Sequence, residues 1–302
     1  MNTKETGVLV EEQLGGRRRA PGGAQLRALR HFYRHEPLGA FGLTILSIMV
    51  ATAVFAPWLA PYGYSDTSIL HQLEDPSFSH PLGTDNLGRD VLSRIIYGAR
   101  IEILVGLGAV AIAGVASAVL GTLSGYFRGW VDLTMQRFVD ILMAFPGIIL
   151  LITIIAMFEP GLAQVTVAIG ILLAPAAIRV VRSAALSAAQ MPYVEAAHSS
   201  GATHTRVILR HILPNVFAPA MVTLTTMFGL AILLEATLSF LGYGVPPPEP
   251  SWGSMLGPDA RRDMLRAPAL SIWPGVAIFL AVYSFNVLGD SLRDVLDPRL
   301  RT

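Results

Sequence analysis

The chain has 302 residues, 53% hydrophobic and 14% charged, with 22 Lys and Arg against 21 Asp and Glu and no Cys. A mean hydropathy of +0.55 excludes an ordinary soluble globule and points to several membrane spans. The near-neutral balance leaves no electrostatic case for a nucleic-acid partner, and the missing cysteines exclude disulfides and thiolate metal sites.

Residues 1–36 are rich in Gly, Arg and Glu and show no apolar periodicity, so a partly disordered tail is expected there. Its Arg27–Arg34 stretch has the basic character of a segment that meets anionic lipid. From residue 37 the apolar pattern predicts six spans, each long enough for about 30 Å of hydrocarbon. They are Leu38–Ala60, Ile101–Leu123, Phe138–Phe158, Leu162–Val181, Val216–Leu241 and Ala269–Gly289. The first is longer than a signal-peptide core and is read as an uncleaved helix.

The intervening loop 61–100 is long enough for structure of its own, with a short amphipathic helix expected from Asp90 to Tyr97. In loop 242–268, Pro246, Pro247, Pro248 and Pro250 stiffen a non-helical segment. Trp252 and the nearby Trp273 suit a membrane interface. Gly121 and Gly125 form a small-residue pair at helical spacing, expected to pack within the bundle rather than to drive dimerisation.

Basic residues set the expected orientation. Arg89, Arg94, Arg100, Arg261, Arg262 and Arg266 lie in one set of loops, and the other 16 of the 22 Lys and Arg lie in the opposite set and the two tails. The positive-inside rule then predicts cytoplasmic termini, loops 61–100 and 242–268 outside, and a cytoplasmic loop at 183–215.

That last loop reads EAAHSSGATHTRVILRHILPN from Glu195 to Asn215. Pro192 suits the first turn of a short helix, and Glu195 favours the positive end of its dipole. Gly201 can take the left-handed conformation that ends a helix. Thr203 can cap a second short helix, which Pro214 is expected to limit before the next span. The product is a compact helix–turn–helix, a rigid handle for a partner protein.

The same residues resemble the EAA loop of inner-membrane subunits of ABC transporters: Glu-Ala-Ala, three residues, Gly, nine residues, then Ile-x-Leu-Pro. Glu195, Ala196, Ala197, Gly201, Leu213 and Pro214 hold the expected spacing, and His211 stands at the Ile position. Further stretches are similar to oligopeptide and dipeptide permeases of the C-subunit type. They are His80–Asp85, Leu87–Asp90, Ser93–Arg100, Leu238–Gly242, Pro250–Gly253 and the tail from Asn286 to Arg299.

The resemblance, spanning about Pro37 to Arg301, implies an all-α membrane protein with the six-helix fold of a type I ABC-importer permease. It implies a bacterial inner-membrane location and the partners of such a machine: a homologous B-type permease, two ATPase subunits and an extracytoplasmic substrate-binding protein. Di- or oligopeptide is the implied cargo; nickel, glutathione and antimicrobial peptides are carried by close relatives. Tyr193, Glu195, Ala196, Ala197, His198, Gly201, Thr205 and Arg206 are the implied ATPase-coupling residues.

Gly83–Asp90 nearly spells a phosphate loop, but Arg89 and Asp90 stand where Lys and Ser/Thr are required and no strand precedes it. ATP and Mg are therefore expected on the ATPase subunits, with no cofactor on this chain and no enzymatic role for it. The seven His residues show no metal-ligand spacing, so no metal site is expected. Glu235, deep in the fifth span, and Asn286 are the pathway candidates, although a structural hydrogen bond is the more ordinary role for a buried Glu. Glu102, Asp140 and Asp290 also lie in or near spans. Two other classes remain open: a proton-driven secondary transporter using Glu235 as relay, and a membrane scaffold. Neither accounts for the Glu195 loop.

Overall fold

The computed structural model describes residues 33, 36–263 and 265–296. The expected tail character of residues 1–36, including Arg27–Arg34, falls almost wholly outside them. Among the described residues the architecture is helical, apart from one isolated bridge between Thr84 and Asp90.

Helix α1 spans Pro37–Val54 and, after a break at Phe55, a single turn α2 covers Ala56–Leu59. Helix α3 (Val91–Ala116) continues through a π turn, Ser117–Gly121, into α4 (Thr122–Phe127). Together they form one apolar rod of 37 residues, about 55 Å long at 1.5 Å per residue. The expected amphipathic helix Asp90–Tyr97 is therefore the first two turns of this rod. Asp90 caps it, its Oδ2 accepting from both Ser93 N and Ser93 Oγ at 2.7 Å, and no signal breaks the helix before the apolar run.

The third expected span differs most. Phe138–Phe158 is not one helix: α5 (Gly129–Ala144) and α6 (Gly147–Ala156) meet at 91°. Phe145 is extended because it precedes Pro146, whose ring disfavours helical φ/ψ in the residue before it. Helix α7 (Leu162–Ala188) follows, then α8 (Pro192–Ser199), α9 (His204–Val207) and α10 (Leu213–Phe240). A short α11 (Pro258–Asp263) precedes α12 (Ala269–Leu296). Among the described residues, five helical segments are long and apolar enough to cross a membrane, six when α5 and α6 count as one broken span.

Pro214 does not end the helix before α10, contrary to expectation. A π turn at Ile208–Ile212 joins α9 to α10, and His204–Phe240 forms one continuous candidate span. A widened turn is where a helix can accommodate a proline and its missing donor.

The core centres on α3, α7 and α10, where Val105, Ala109, Val165, Ile169 and Ala231 are sealed from solvent. Helix α1 packs beside α12 and α3. Small residues set the closeness of the rod and α7. A Cβ on Gly121 would lie 2.9 Å from the Ile178 carbonyl, and one on Gly125 2.6 Å from that of Arg182. Both glycines thus serve packing inside the chain.

Candidate functional site: the Glu195 loop

At one end of the bundle, α8 and α9 form a helix–turn–helix. Pro192 occupies the first turn of α8 and Glu195 lies near its positive end. Ser200 closes the helix, and Gly201 follows at φ +81°. Gly201 N donates to His198 O at 2.9 Å and Ala202 N to Ala197 O at 3.0 Å. This pair of bonds is the left-handed cap that spends two otherwise orphaned carbonyls. Thr203 then caps α9, its Oγ1 accepting from Arg206 N at 3.4 Å.

A small apolar core fixes the loop to the bundle. Val194, Val207 and Ile212 are buried against Val181, Ala185 and Ala188 of α7, with Ala197 and Ala202 packed on them. Ala197 therefore points largely into its own chain. Tyr193, Glu195, Ala196, His198, Thr205 and Arg206 are exposed. Tyr193 lies beside His211, ring centroids 6.0 Å apart, so the residue at the Ile position makes an aromatic contact instead. His198 and His204 flank the turn and both meet the Tyr126 hydroxyl of α4, at 3.1 and 2.7 Å. An open groove of about 620 Å³ separates α8 from the end of the rod, lined in part by Phe127, Arg128, Met191 and Glu195.

Ion pairs brace the same end. Arg182 of α7 donates to both carboxylate oxygens of Asp132 on α5, at 2.5 and 2.6 Å, and Ser124 of α4 adds a further hydrogen bond to that carboxylate. Arg179 Nη2 donates to Asp140 Oδ1 at 2.7 Å. The spacing Asp132/Asp140 against Arg179/Arg182 was not singled out as a site in the sequence. Opposite charges in or beside two predicted spans were its only signal.

The pathway candidates part company. Asn286 is exposed and its Nδ2 donates to Val282 O at 2.9 Å within α12. Glu235 is fully enclosed. Its Oε1 accepts from Ser239 Oγ at 2.6 Å, and Ser251 Oγ donates on to Ser239 Oγ at 3.0 Å. Glu102 of α3 lies beside it, equally enclosed, and accepts from Trp252 N at 3.2 Å. The ordinary role of a buried Glu, a hydrogen bond between elements, describes this arrangement.

Trp252 also departs from expectation. Rather than lying at an interface it is 4% exposed, its Nε1 donating to Ile95 O at 3.0 Å. Gly98 leaves the room: a Cβ there would come within 2.7 Å of the indole. The stretch resembling a phosphate loop is folded on itself, with Asp85 Oδ1 accepting from Leu87 N and Arg89 N and Asp85 Oδ2 from Arg89 Nε. Among the described residues, no group of three or more His, Cys, Asp or Glu is placed to hold a metal.

Comparison with known proteins gives this geometry its family. Residues 117–302 match the model of the binding-protein-dependent transport system inner membrane component, and residues 26–76 that of the N-terminal TM domain of oligopeptide transport permease C. The chain is 44% identical over 276 residues to the glutathione transport system permease protein GsiD of Pectobacterium atrosepticum, covering 90% of each. It is 42% identical over 269 residues to the dipeptide transport system permease protein DppC of Alkalihalophilus pseudofirmus, covering 89% of this chain and 88% of that one. A crystal structure of an amino acid ABC transporter with histidines shares the fold, with a TM-score of 0.51 at 18% identity over 68% of this chain and 95% of the other. The chain is a multi-pass inner-membrane permease and belongs to the binding-protein-dependent transport system family of ABC transporters.

Proposed function

We propose that this permease imports di- or oligopeptides, forming half of a pathway whose other half is a homologous permease, and that α8 is its contact with a cytoplasmic ATPase. The observation that carries the reading is the Glu195 loop. Its exposed face, Tyr193, Glu195, Ala196 and His198, stands on a helix fixed from behind by Val194 and Ala197. Thr205 and Arg206 continue that face on α9, across the turn that Gly201 sets. A helix rigid on one side and bare on the other can transmit a push.

In this reading the Glu195 end and both termini are cytoplasmic, and the Trp252 end faces a substrate-binding protein. ATP and Mg belong to the two ATPase subunits, and this chain carries no cofactor and no catalytic step. Closure of the ATPases moves the two coupling helices and turns the pathway from inward- to outward-facing. Peptide cargo rests on the chain's relatives, several of which are named for peptide, dipeptide or glutathione transport. Glutathione, itself a tripeptide, is one form of that cargo, and nickel is the alternative.

Affinity purification of the tagged chain in mild detergent, with mass spectrometry of its companions, tests the assembly. A second permease, ATPases and a binding protein are expected. Binding of trialanine, glutathione or Ni²⁺ to that binding protein then decides the cargo. A chain that purifies without an ATPase, even after cross-linking through position 198, would overturn the reading.

A further inference from the structure

The coupling loop and the transport helices must be joined if movement of one is to reach the other. Most of that joint is apolar: Val194, Val207 and Ile212 against Val181, Ala185 and Ala188. Such contacts hold the elements firmly by close packing, but dispersion and burial carry no direction of their own. On the side of the rod an open groove lies between α8 and Phe127 and Arg128, so apolar packing does not join the two there.

One residue breaks this pattern. Tyr126 is the penultimate residue of α4 and so stands at the end of the 37-residue rod that begins at Val91. Its hydroxyl lies 3.1 Å from His198 Nε2, in the last turn of α8, and 2.7 Å from His204 Nδ1, the first residue of α9. The ring stacks on His198 at 23° between planes and meets His204 edge-on at 72°. Among the described residues these are the side-chain hydrogen bonds that join the α8–α9 loop to the rod.

Proton bookkeeping shows why the group suits the place. A phenol has one proton and two lone pairs, and each neutral imidazole has one N–H and one bare nitrogen. The hydroxyl can thus meet a ring nitrogen on each side, donating to a bare nitrogen or accepting from an N–H. Hydrogen bonds weaken steeply as they bend, so a displacement of either helix is resisted at one oxygen atom. Both sides of the Gly201 turn are held by that atom.

We propose that Tyr126 is a positioning residue for transport: its hydroxyl ties the coupling helix, on both sides of its turn, to the end of the α3–α4 rod and transmits the movement of α8 along it. This rests on the reading of α8 as the ATPase contact. At its far end the rod carries Gly98 against Trp252 and Glu102 on the Trp252 backbone. The same helix thus reaches from the coupling loop to the loop at the opposite end.

The test uses the intact complex in liposomes with its purified binding protein, and reads the ratio of binding-protein-stimulated to basal ATP hydrolysis. That signal has to cross the membrane through the permeases. Tyr126→Phe keeps the ring and removes the hydroxyl with both of its hydrogen bonds, and is expected to lower the stimulated ratio by more than about fivefold, the equilibrium factor of one ordinary hydrogen bond. His204→Asn retains a polar atom near the Nδ1 position and should keep most of the ratio, whereas His204→Leu, which loses one of the two bonds, should lower it about fivefold. A Tyr126→Phe complex with the wild-type ratio overturns the proposal. If that variant does not assemble, equal ratios for His204→Asn and His204→Leu overturn it instead. Gly201→Asp separates the two levels of the argument. If it uncouples while Tyr126→Phe does not, the strut fails and the coupling reading stands; if neither uncouples, both fail.

Discussion

Glu102 on α3 and Glu235 on α10 lie beside each other inside the bundle, and neither side chain reaches solvent. One oxygen of each, Oε2, has no hydrogen-bond partner. Through Trp252 N and the Ser239–Ser251 pair, the same cluster fastens the loop at residues 251 and 252 to both helices.

Replacing one carboxyl by an amide should be tolerated, since Gln still donates and accepts. Glu102→Gln is expected to leave thermal unfolding in detergent nearly unchanged. Glu102→Ala strands the buried Trp252 N–H and should cost about 1–3 kcal/mol, seen as a lower unfolding temperature. An unchanged midpoint for Glu102→Ala would show that the cluster does not fasten the loop.

Gly201 sits at φ +81° with nothing within 4 Å of an added Cβ, so a side chain there meets only its own backbone. The left-handed conformation costs an ordinary residue about 1–2 kcal/mol and Asn less. Gly201→Val should therefore loosen the α8–α9 turn more than Gly201→Asn. Hydrogen exchange over residues 192–207 is the measurement, and equal protection in the two variants would contradict it.

At Gly125 the obstacle is steric. Gly125→Leu should force α4 away from α7 and cost about 1–3 kcal/mol or more, with a lower yield of folded protein. Gly275→Ala on α12 meets nothing within 4 Å and serves as the tolerated control.

Asp132 and Arg182 form a two-pronged pair between α5 and α7, both partly shielded. Asp132→Asn should destabilise by on the order of 1 kcal/mol, discounted for solvent screening. A double-mutant cycle with Arg182→Gln should show the two losses to be shared rather than additive.

The Glu195 loop was legible because its chemistry is local. Pro192, Glu195, Gly201 and Thr203 each act on backbone within a few residues, so their places in a helix, a turn and a cap follow from spacing. What was not legible depends on neighbours distant in sequence. Trp252 reads as an interfacial residue until Gly98, more than 150 positions earlier, provides its slot. Glu235 reads as a lone buried charge until Glu102 meets it. The π turns at Ser117–Gly121 and Ile208–Ile212 left no local mark, so the end predicted at Pro214 became a continuation. The 91° turn at Pro146 was likewise not read from the apolar pattern, which ran on through Phe158.

The most direct test of the central claim is uptake of radiolabelled trialanine, with glutathione in parallel, into proteoliposomes containing the native complex. The binding protein is added outside, and ATP is enclosed on the side of the Glu195 loop. The account predicts accumulation of at least one of the two peptides that requires both ATP and the binding protein, ignores a protonophore and is lost in Gly201→Asp while the complex stays assembled. Uptake that persists without ATP and collapses with the protonophore would contradict it and bring forward a proton-driven carrier.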